Sequence, residues 1–256
     1  MAFARIVQRN ALVYRHVWRG SVFSSFLQPT LFLLSIGLGV GAMVEAGGAA
    51  LPGGVSYAEF LAPGLLAAAA MQNAGFESSY PVLGKLTWGR NYEAITATPM
   101  GVTDLVIGEL AWLAVRLTTI AVAFIIVMAA FGIPRSWRVL FAVPAAVLTG
   151  LAFAAPIMAF AATLKTSRGN AFNVLFRFIL SPLFLFSGAF FPIDRLPDMV
   201  ERAAWFTPLF HGIELVRGLT LDSVPATWVI HVAFLAGLLG AGIAVANRAF
   251  RRKLYA

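Results

Sequence analysis

The chain has 256 residues, 60% of them hydrophobic and 12% charged, with a mean hydropathy of +0.83. A soluble domain carries about 25% charged residues, so this composition excludes an ordinary soluble fold; apolar stretches of about 20 residues predict an all-α integral membrane protein rather than a barrel. The formal net charge is +8, and the absence of cysteine excludes disulfides, thiol chemistry and cysteine-held metal sites.

Residues 3–19 are amphipathic. Arg5, Arg9, His16 and Arg19 line one face, and Phe3, Ile6, Val7, Tyr14 and Val17 the other. The pattern predicts a helix in the membrane interface; a plain basic flank holding the N-terminus in the cytoplasm is equally consistent. These arginines, with no small-residue cleavage site after a short apolar core, exclude a cleavable signal peptide.

A first span is predicted over about Val22–Val44, with Gln28-Pro29 early in it and a GxxxG at Gly37 and Gly41 that permits close helix approach. A Gly/Ala/Pro-rich loop follows, Glu45–Ser56. Span two covers about Tyr57–Tyr80, with Glu59 near one end and Glu77 near the other. Next comes Pro81–Gly101, PVLGKLTWGRNYEAITATPMG, the longest polar break in the first half. On a helix, Trp88, Tyr92, Ile95 and Pro99 share one face, and Arg90, Glu93 and Ala97 lie opposite. Pro99 and Gly101 stop it. Such a helix rests one face on the membrane domain and offers the other to a soluble partner, or serves as a connector with no partner.

Span three is predicted over Asp104–Phe131, a turn over Gly132–Trp137, span four over Arg138–Leu164, a polar loop over Lys165–Arg168, and span five over Ala171–Phe190 with Pro182 inside it. Residues 191–224 carry prolines at 192, 197 and 208 between two short helical pieces, too short to cross, which dip into the membrane or lie on it. A sixth span over Pro225–Asn247 leads to the basic tail RAFRRKLYA. Six spans place both ends on one side. That side holds the greater share of arginine and lysine, which puts both termini and the Pro81–Gly101 connector in the cytoplasm and residues 191–224 outside. No internal repeat is visible, so residues 1–256 read as a single domain. Topology and anionic lipid account for the basic excess without a nucleic-acid partner.

No catalytic constellation stands out. Gly84-Lys85 is followed by Leu86 and lacks the upstream glycine of a phosphate-binding loop, and neither GxSxG nor HExxH occurs. Any work done therefore draws on a partner or a gradient. Arg116 lies about 18 Å along span three, near the middle of the bilayer, where a charge costs at least about 2.5–3.5 kcal/mol. It pairs with a carboxylate, with Glu109 the candidate two turns away, or faces a transport path. Arg177 and Glu77 lie nearer the cytoplasmic surface, as interfacial anchors or path residues. His16, His211 and His231 are too scattered for a metal cluster, and His211 and Glu214 read as solvated or interfacial. Trp18, Trp88, Trp137, Trp205 and Trp228 fit an aromatic belt.

Four stretches carry a resemblance: GVSYAEFLAPGLLAAAAMQNAGFESSY (54–80), LTWGRNYEAITATPMGVTDLVIGELAW (86–112), LTGLAFA (148–154), and SGAFFPIDRLP (187–197) with FTPLFHGIELVR (206–217). Over nearly its whole length the chain resembles the membrane subunits of type-2 ABC exporters, the nodulation-factor and daunorubicin exporter permeases in particular. The resemblance implies a homodimer, or a pair with a related chain, on two copies of a separate cytoplasmic ATPase that binds ATP and magnesium; no cofactor is implied in this chain. It implies that the connector is a coupling helix, with Arg90, Tyr92, Glu93, Thr96 and Pro99 near the ATPase contact. Residues 191–210 would be outer-side helices, and spans one and five would line the dimer interface and the path. The implied cargo is amphipathic: a drug, a lipid, a glycolipid or a lipid-linked glycan. Two other readings stay open from the residues alone, a non-transporting anchor or scaffold and a gradient-driven carrier, although neither inverted repeats nor clustered mid-membrane carboxylates are visible.

Overall fold

The computed structural model describes residues 3–35, 39, 54–164, 170–193 and 197–255. The GxxxG at Gly37 and Gly41, the Lys165–Arg168 loop and most of the Glu45–Ser56 loop lie outside the described residues. Among the described residues every regular element is helical and none is a strand.

The bundle is built around α7 (Ala142–Thr163), which is entered through a 3-10 turn, Trp137–Phe141. It packs against α3 (Tyr57–Ser78), α6 (Val102–Ala130), α10 (Pro208–Thr220) and α11 (Trp228–Tyr255). Its buried residues are mostly alanine, with Thr149 and Gly150 among them. In lipid, helices associate by close packing rather than by hydrophobic burial, and small residues allow that approach. Gly212 of α10 faces Thr149, and Gly242 of α11 faces Ala155 and Pro156.

Among the described residues three helices are long and apolar enough to cross a membrane: Val102–Ala130, Trp137–Thr163 and Trp228–Tyr255. Helix α3, with 22 residues, carries Gln72, Asn73 and Glu77 and is less apolar. Neighbouring helices bury 15 of its residues, so it does not depend on lipid contact. A capping box starts it: Ser56 Oγ accepts from the Glu59 amide and Glu59 Oε2 accepts from the Ser56 amide.

Several predicted boundaries move. The single amphipathic helix over 3–19 is two elements, α1 (Phe3–Tyr14) and α2 (Trp18–Leu34). The chain turns at Arg15–Val17 because Tyr14 is held on α6, edge-on to Trp112 at 5.6 Å and under the Arg116 guanidinium at 4.7 Å. Span five ends early: α8 (Asn170–Phe186) gives way to a bend at Ser187 and Gly188, whose φ is +85°. Within α8, Phe176–Leu180 widens into a π-turn. Pro182 has no amide proton to continue the helical ladder, and Ser181 Oγ donates to the Phe176 carbonyl instead. The last helix does not stop at Asn247 but carries the basic tail in α-helical form to Tyr255.

The two short pieces are α9 (Asp198–Ala204) and α10, and α10 is far from solvated. His211 is 2% exposed and its Nδ1 lies 2.7 Å from Nδ1 of His231. The solvated reading of His211 is therefore corrected, because α10 packs against the start of α11 and brings together two histidines 20 residues apart. The tautomers follow from the partners. The Trp205 carbonyl, 2.9 Å from His211 Nε2, can only accept, so His211 carries its proton on Nε2. His211 Nδ1 then accepts from His231 Nδ1–H, and His231 Nε2 accepts from the Thr227 hydroxyl at 3.2 Å. Three residues along from His211, Glu214 pairs with Arg217 at 3.4 Å. Arg217 also donates to the carbonyls of Phe60 (3.2 Å) and Gly188 (2.7 Å), so one guanidinium ties α3, the bend after α8 and α10 together.

Candidate functional site

The connector is not one amphipathic helix. It is α4 (Tyr80–Thr87) and α5 (Asn91–Thr96), broken at Trp88–Arg90, with Arg90 in the left-handed region at φ +46°. Gly89 lets the chain close there, its amide bonding to the Gly84 carbonyl. The break rotates the predicted faces apart. Trp88 is 70% exposed, whereas Tyr92, expected on the same face, is fully buried.

Tyr92 reaches inward against Phe250 of α11, ring centres 5.7 Å apart, with the Lys85 ammonium 5.8 Å from its own ring. Burial, and the Glu109 carboxylate near it, hold the Tyr92 phenol well above its ordinary value, so it stays neutral. Lys85 Nζ donates to both carboxylate oxygens of Glu109, at 2.8 and 2.7 Å, and Asn10 of α1 donates to the same carboxylate at 3.2 Å. A second seam runs beside it, where Ile6 of α1 fills the space that Gly108 of α6 leaves open. Helices α1, α4, α5, α6 and α11 thus meet around one buried ion pair and one buried ring.

The outer face of α5 is free of such ties. Arg90 and Glu93 form an exposed pair at 3.3 Å. Thr96 Oγ1 donates back to the Tyr92 carbonyl at 3.0 Å, and Pro99 is exposed beyond the helix end. Of the five residues expected at a partner contact, Arg90, Glu93 and Pro99 are on the surface, Thr96 is half-buried and Tyr92 points into the protein.

Arg116 does not pair with Glu109. Its guanidinium meets Glu77 at 2.9 Å, in the last turn of α3. Counting from Asp104 placed it in mid-bilayer. Helix α6, however, is 29 residues long, about 43 Å at 1.5 Å per residue, and its first turns pack on α1 and the connector, below the end of α3. Arg116 is therefore level with the end of α3 and with Tyr14. Arg177 is exposed on α8, next to Phe176, whose ring stacks on Phe76 of α3 at 4.6 Å.

One turn above Arg116–Glu77 lies a cavity of about 200 Å³ between α2, α3, α6 and α8. Gln28, Gln72 and Asn73 face it beside Phe32, Phe124 and Phe184. Asn73 donates to the Ala69 carbonyl at 2.8 Å, while among the described residues the amides of Gln28 and Gln72 make no hydrogen bond. Amides facing aromatic rings at membrane depth suit a ligand that is polar at one end and apolar at the other. Sequence reasoning missed this site. The available signal was three amides inside apolar runs, which are costly in lipid unless they face protein or a cavity.

The profile of the ABC-2 type transporter family matches residues 1–221. Nodulation protein J of Rhizobium leguminosarum bv. trifolii is 32% identical over 247 residues, covering 96% of this chain and 92% of the relative. The same-named protein of Rhizobium meliloti (strain 1021) is 32% identical over 232 residues, covering 91% and 84%. That of Azorhizobium caulinodans is 28% identical over 223 residues, covering 87% and 85%. With an all-helical bundle, three membrane-length helices and matches of this extent, the chain belongs to the ABC-2 type transporter family and is a membrane permease.

Proposed function

We propose that the chain is the membrane half of an ATP-driven exporter. A cytoplasmic ABC ATPase, in two copies, binds ATP and magnesium and hydrolyses the nucleotide; this chain forms the path, as a homodimer or with a related permease. Its six spans, in a single domain, sit in the cell's inner or plasma membrane with both termini cytoplasmic. The observation that carries the reading is the connector. Its exposed surface, Glu93 on α5 with Arg90 and Pro99 flanking that helix, is continuous with Tyr92, which packs against Phe250 of α11, and with Lys85 of the preceding helix α4, which pairs with Glu109 of α6. A push on α5 is passed to those helices as a rigid displacement rather than absorbed in a loop.

The cargo is amphipathic and moves outward from the cytoplasm or inner leaflet. Amides and aromatic rings in the cavity between α2, α3, α6 and α8 suit a polar head and an apolar body. The Arg116–Glu77 pair lies at its inner mouth, where an anionic or cationic head exchanges with one partner of the pair. Arg177, exposed on α8, faces the second permease subunit or lipid. No nucleic acid takes part.

Glu93→Arg tests the connector. The Arg90–Glu93 pair is exposed, so its loss costs at most about 1 kcal/mol of stability. The variant is expected to melt like the parent, yet to retain less than a tenth of the ATPase in co-purification from cells expressing both. Undiminished co-purification removes α5 from the contact.

A further inference from the structure

We propose that the C-terminal end of α11 is a binding site for an anionic phospholipid. It lies in a groove of about 490 Å³ between the end of α7 and the last turns of α11. Its floor is apolar, formed by Ala162, Val245 and Ala249; its rim is Arg248 and Arg252, with Lys253 beside them. No carboxylate among the described residues lines it, so the rim is an uncompensated cationic cluster in concave surroundings.

Geometry sets the depth. Helix α11 has 28 residues, about 42 Å at 1.5 Å per residue, against about 30 Å of hydrocarbon. Trp228 at its start is an exposed indole of the kind that marks a membrane interface. Arg248 is then about 30 Å along the axis, where hydrocarbon gives way to headgroups. Val245 lies about 4.5 Å to the acyl side, Ala249 is level with Arg248, and Arg252 is one turn further into the headgroup layer. Arg248 and Arg252, four residues apart, share one face and bracket a space for a phosphodiester. Lys253 is partly engaged: its Nζ donates to the Leu164 carbonyl at 3.1 Å, bracing α11 against the end of α7. The two arginines are left to grip the phosphate, with an acyl chain along the floor. The occupant is a lipid rather than a free anion because the groove joins an apolar wall to its cationic rim. Basic pockets between helix ends are the usual setting for such lipids.

The test uses the full-length protein purified in mild detergent. Bound lipid is read by native mass spectrometry after titration with phosphatidylglycerol, phosphatidylcholine or inorganic phosphate. Arg248→Gln/Arg252→Gln is compared with Arg15→Gln/Arg251→Gln, which removes the same charge elsewhere. Each basic residue near an anionic surface contributes about a fivefold factor. The groove variant is therefore expected to bind phosphatidylglycerol roughly twentyfold more weakly, the control variant within twofold of the parent, and the parent to prefer phosphatidylglycerol over phosphatidylcholine. Both variants should melt within a few degrees of the parent before lipid is added. Equal losses in the two variants, equal retention of phosphatidylcholine, or displacement of the lipid by millimolar phosphate would each overturn the assignment. So would a groove variant that keeps its lipid and instead loses a co-purifying ATPase, since the rim would then belong to a soluble partner.

Discussion

Lys85→Met is expected to lower the melting temperature of the purified protein by roughly 10 °C. The Glu109 side chain is 7% exposed and depends on Lys85 for two contacts of 2.8 and 2.7 Å. Without the ammonium, the hydrogen bond that remains to it among the described residues is from the Asn10 amide at 3.2 Å. Removing one member of a buried pair costs about 3–5 kcal/mol, because the other charge stays buried and uncompensated. Lys85 is 24% exposed, so water relieves part of this and the lower end, about 3 kcal/mol, applies; at about 2–4 °C per kcal/mol for a chain of this size that gives the stated shift. The double variant Lys85→Met/Glu109→Met should recover most of the loss, since an apolar pair of similar volume replaces the ion pair. A single variant that melts with the parent, or a double variant no better than the single, would show that the pair does not hold the connector.

Gly212→Ala is the second large effect. A methyl group at Gly212 would run into both Cγ2 and Oγ1 of Thr149, a fully buried side chain on the central helix whose hydroxyl donates to the Ala145 carbonyl at 2.8 Å. A β-branched side chain cannot swing away inside a packed helix, so α10 must lift off α7. Overpacking costs about 1–3 kcal/mol and sometimes more, and here it also strains the contact that His211 of α10 makes with His231 of α11. Gly237→Ala is the control: nothing lies within 4 Å of its added carbon, and alanine favours a helix by about 1 kcal/mol over glycine. Detergent-solubilised yield and melting temperature should fall sharply for Gly212→Ala and hold or rise for Gly237→Ala. Parallel behaviour of the two would contradict the packing of α10 on α7.

Much of the helical order was legible in the sequence because apolar runs of membrane length and proline-punctuated short pieces are local signals. Helices α6 and α7, and the α9–α10 pair, fall close to where composition places them. The connector was half legible. Its position followed from the polar break, but a single 3.6-residue period hid the stop at Arg90, which depends on one residue's backbone conformation. Pairings were not legible. Glu109 and Arg116 share a face of α6, and spacing alone pairs them; the structure gives Glu109 to Lys85 and Arg116 to Glu77, from helices that spacing along α6 cannot see. His211 and His231 likewise meet only through tertiary packing. The amides at Gln28, Gln72 and Asn73 were visible in apolar runs, but no periodicity shows that they converge on one cavity.

The connector is the handle by which the machine is proposed to be worked, and its place is directly measurable. The chain has no cysteine, so Ala97→Cys gives a single reactive thiol at an exposed position just past α5. A membrane-impermeant maleimide should label it in inverted vesicles and not in intact cells, and a co-expressed ATPase should protect it. Labelling from outside intact cells, or labelling in inverted vesicles that the ATPase leaves unchanged, would contradict the account.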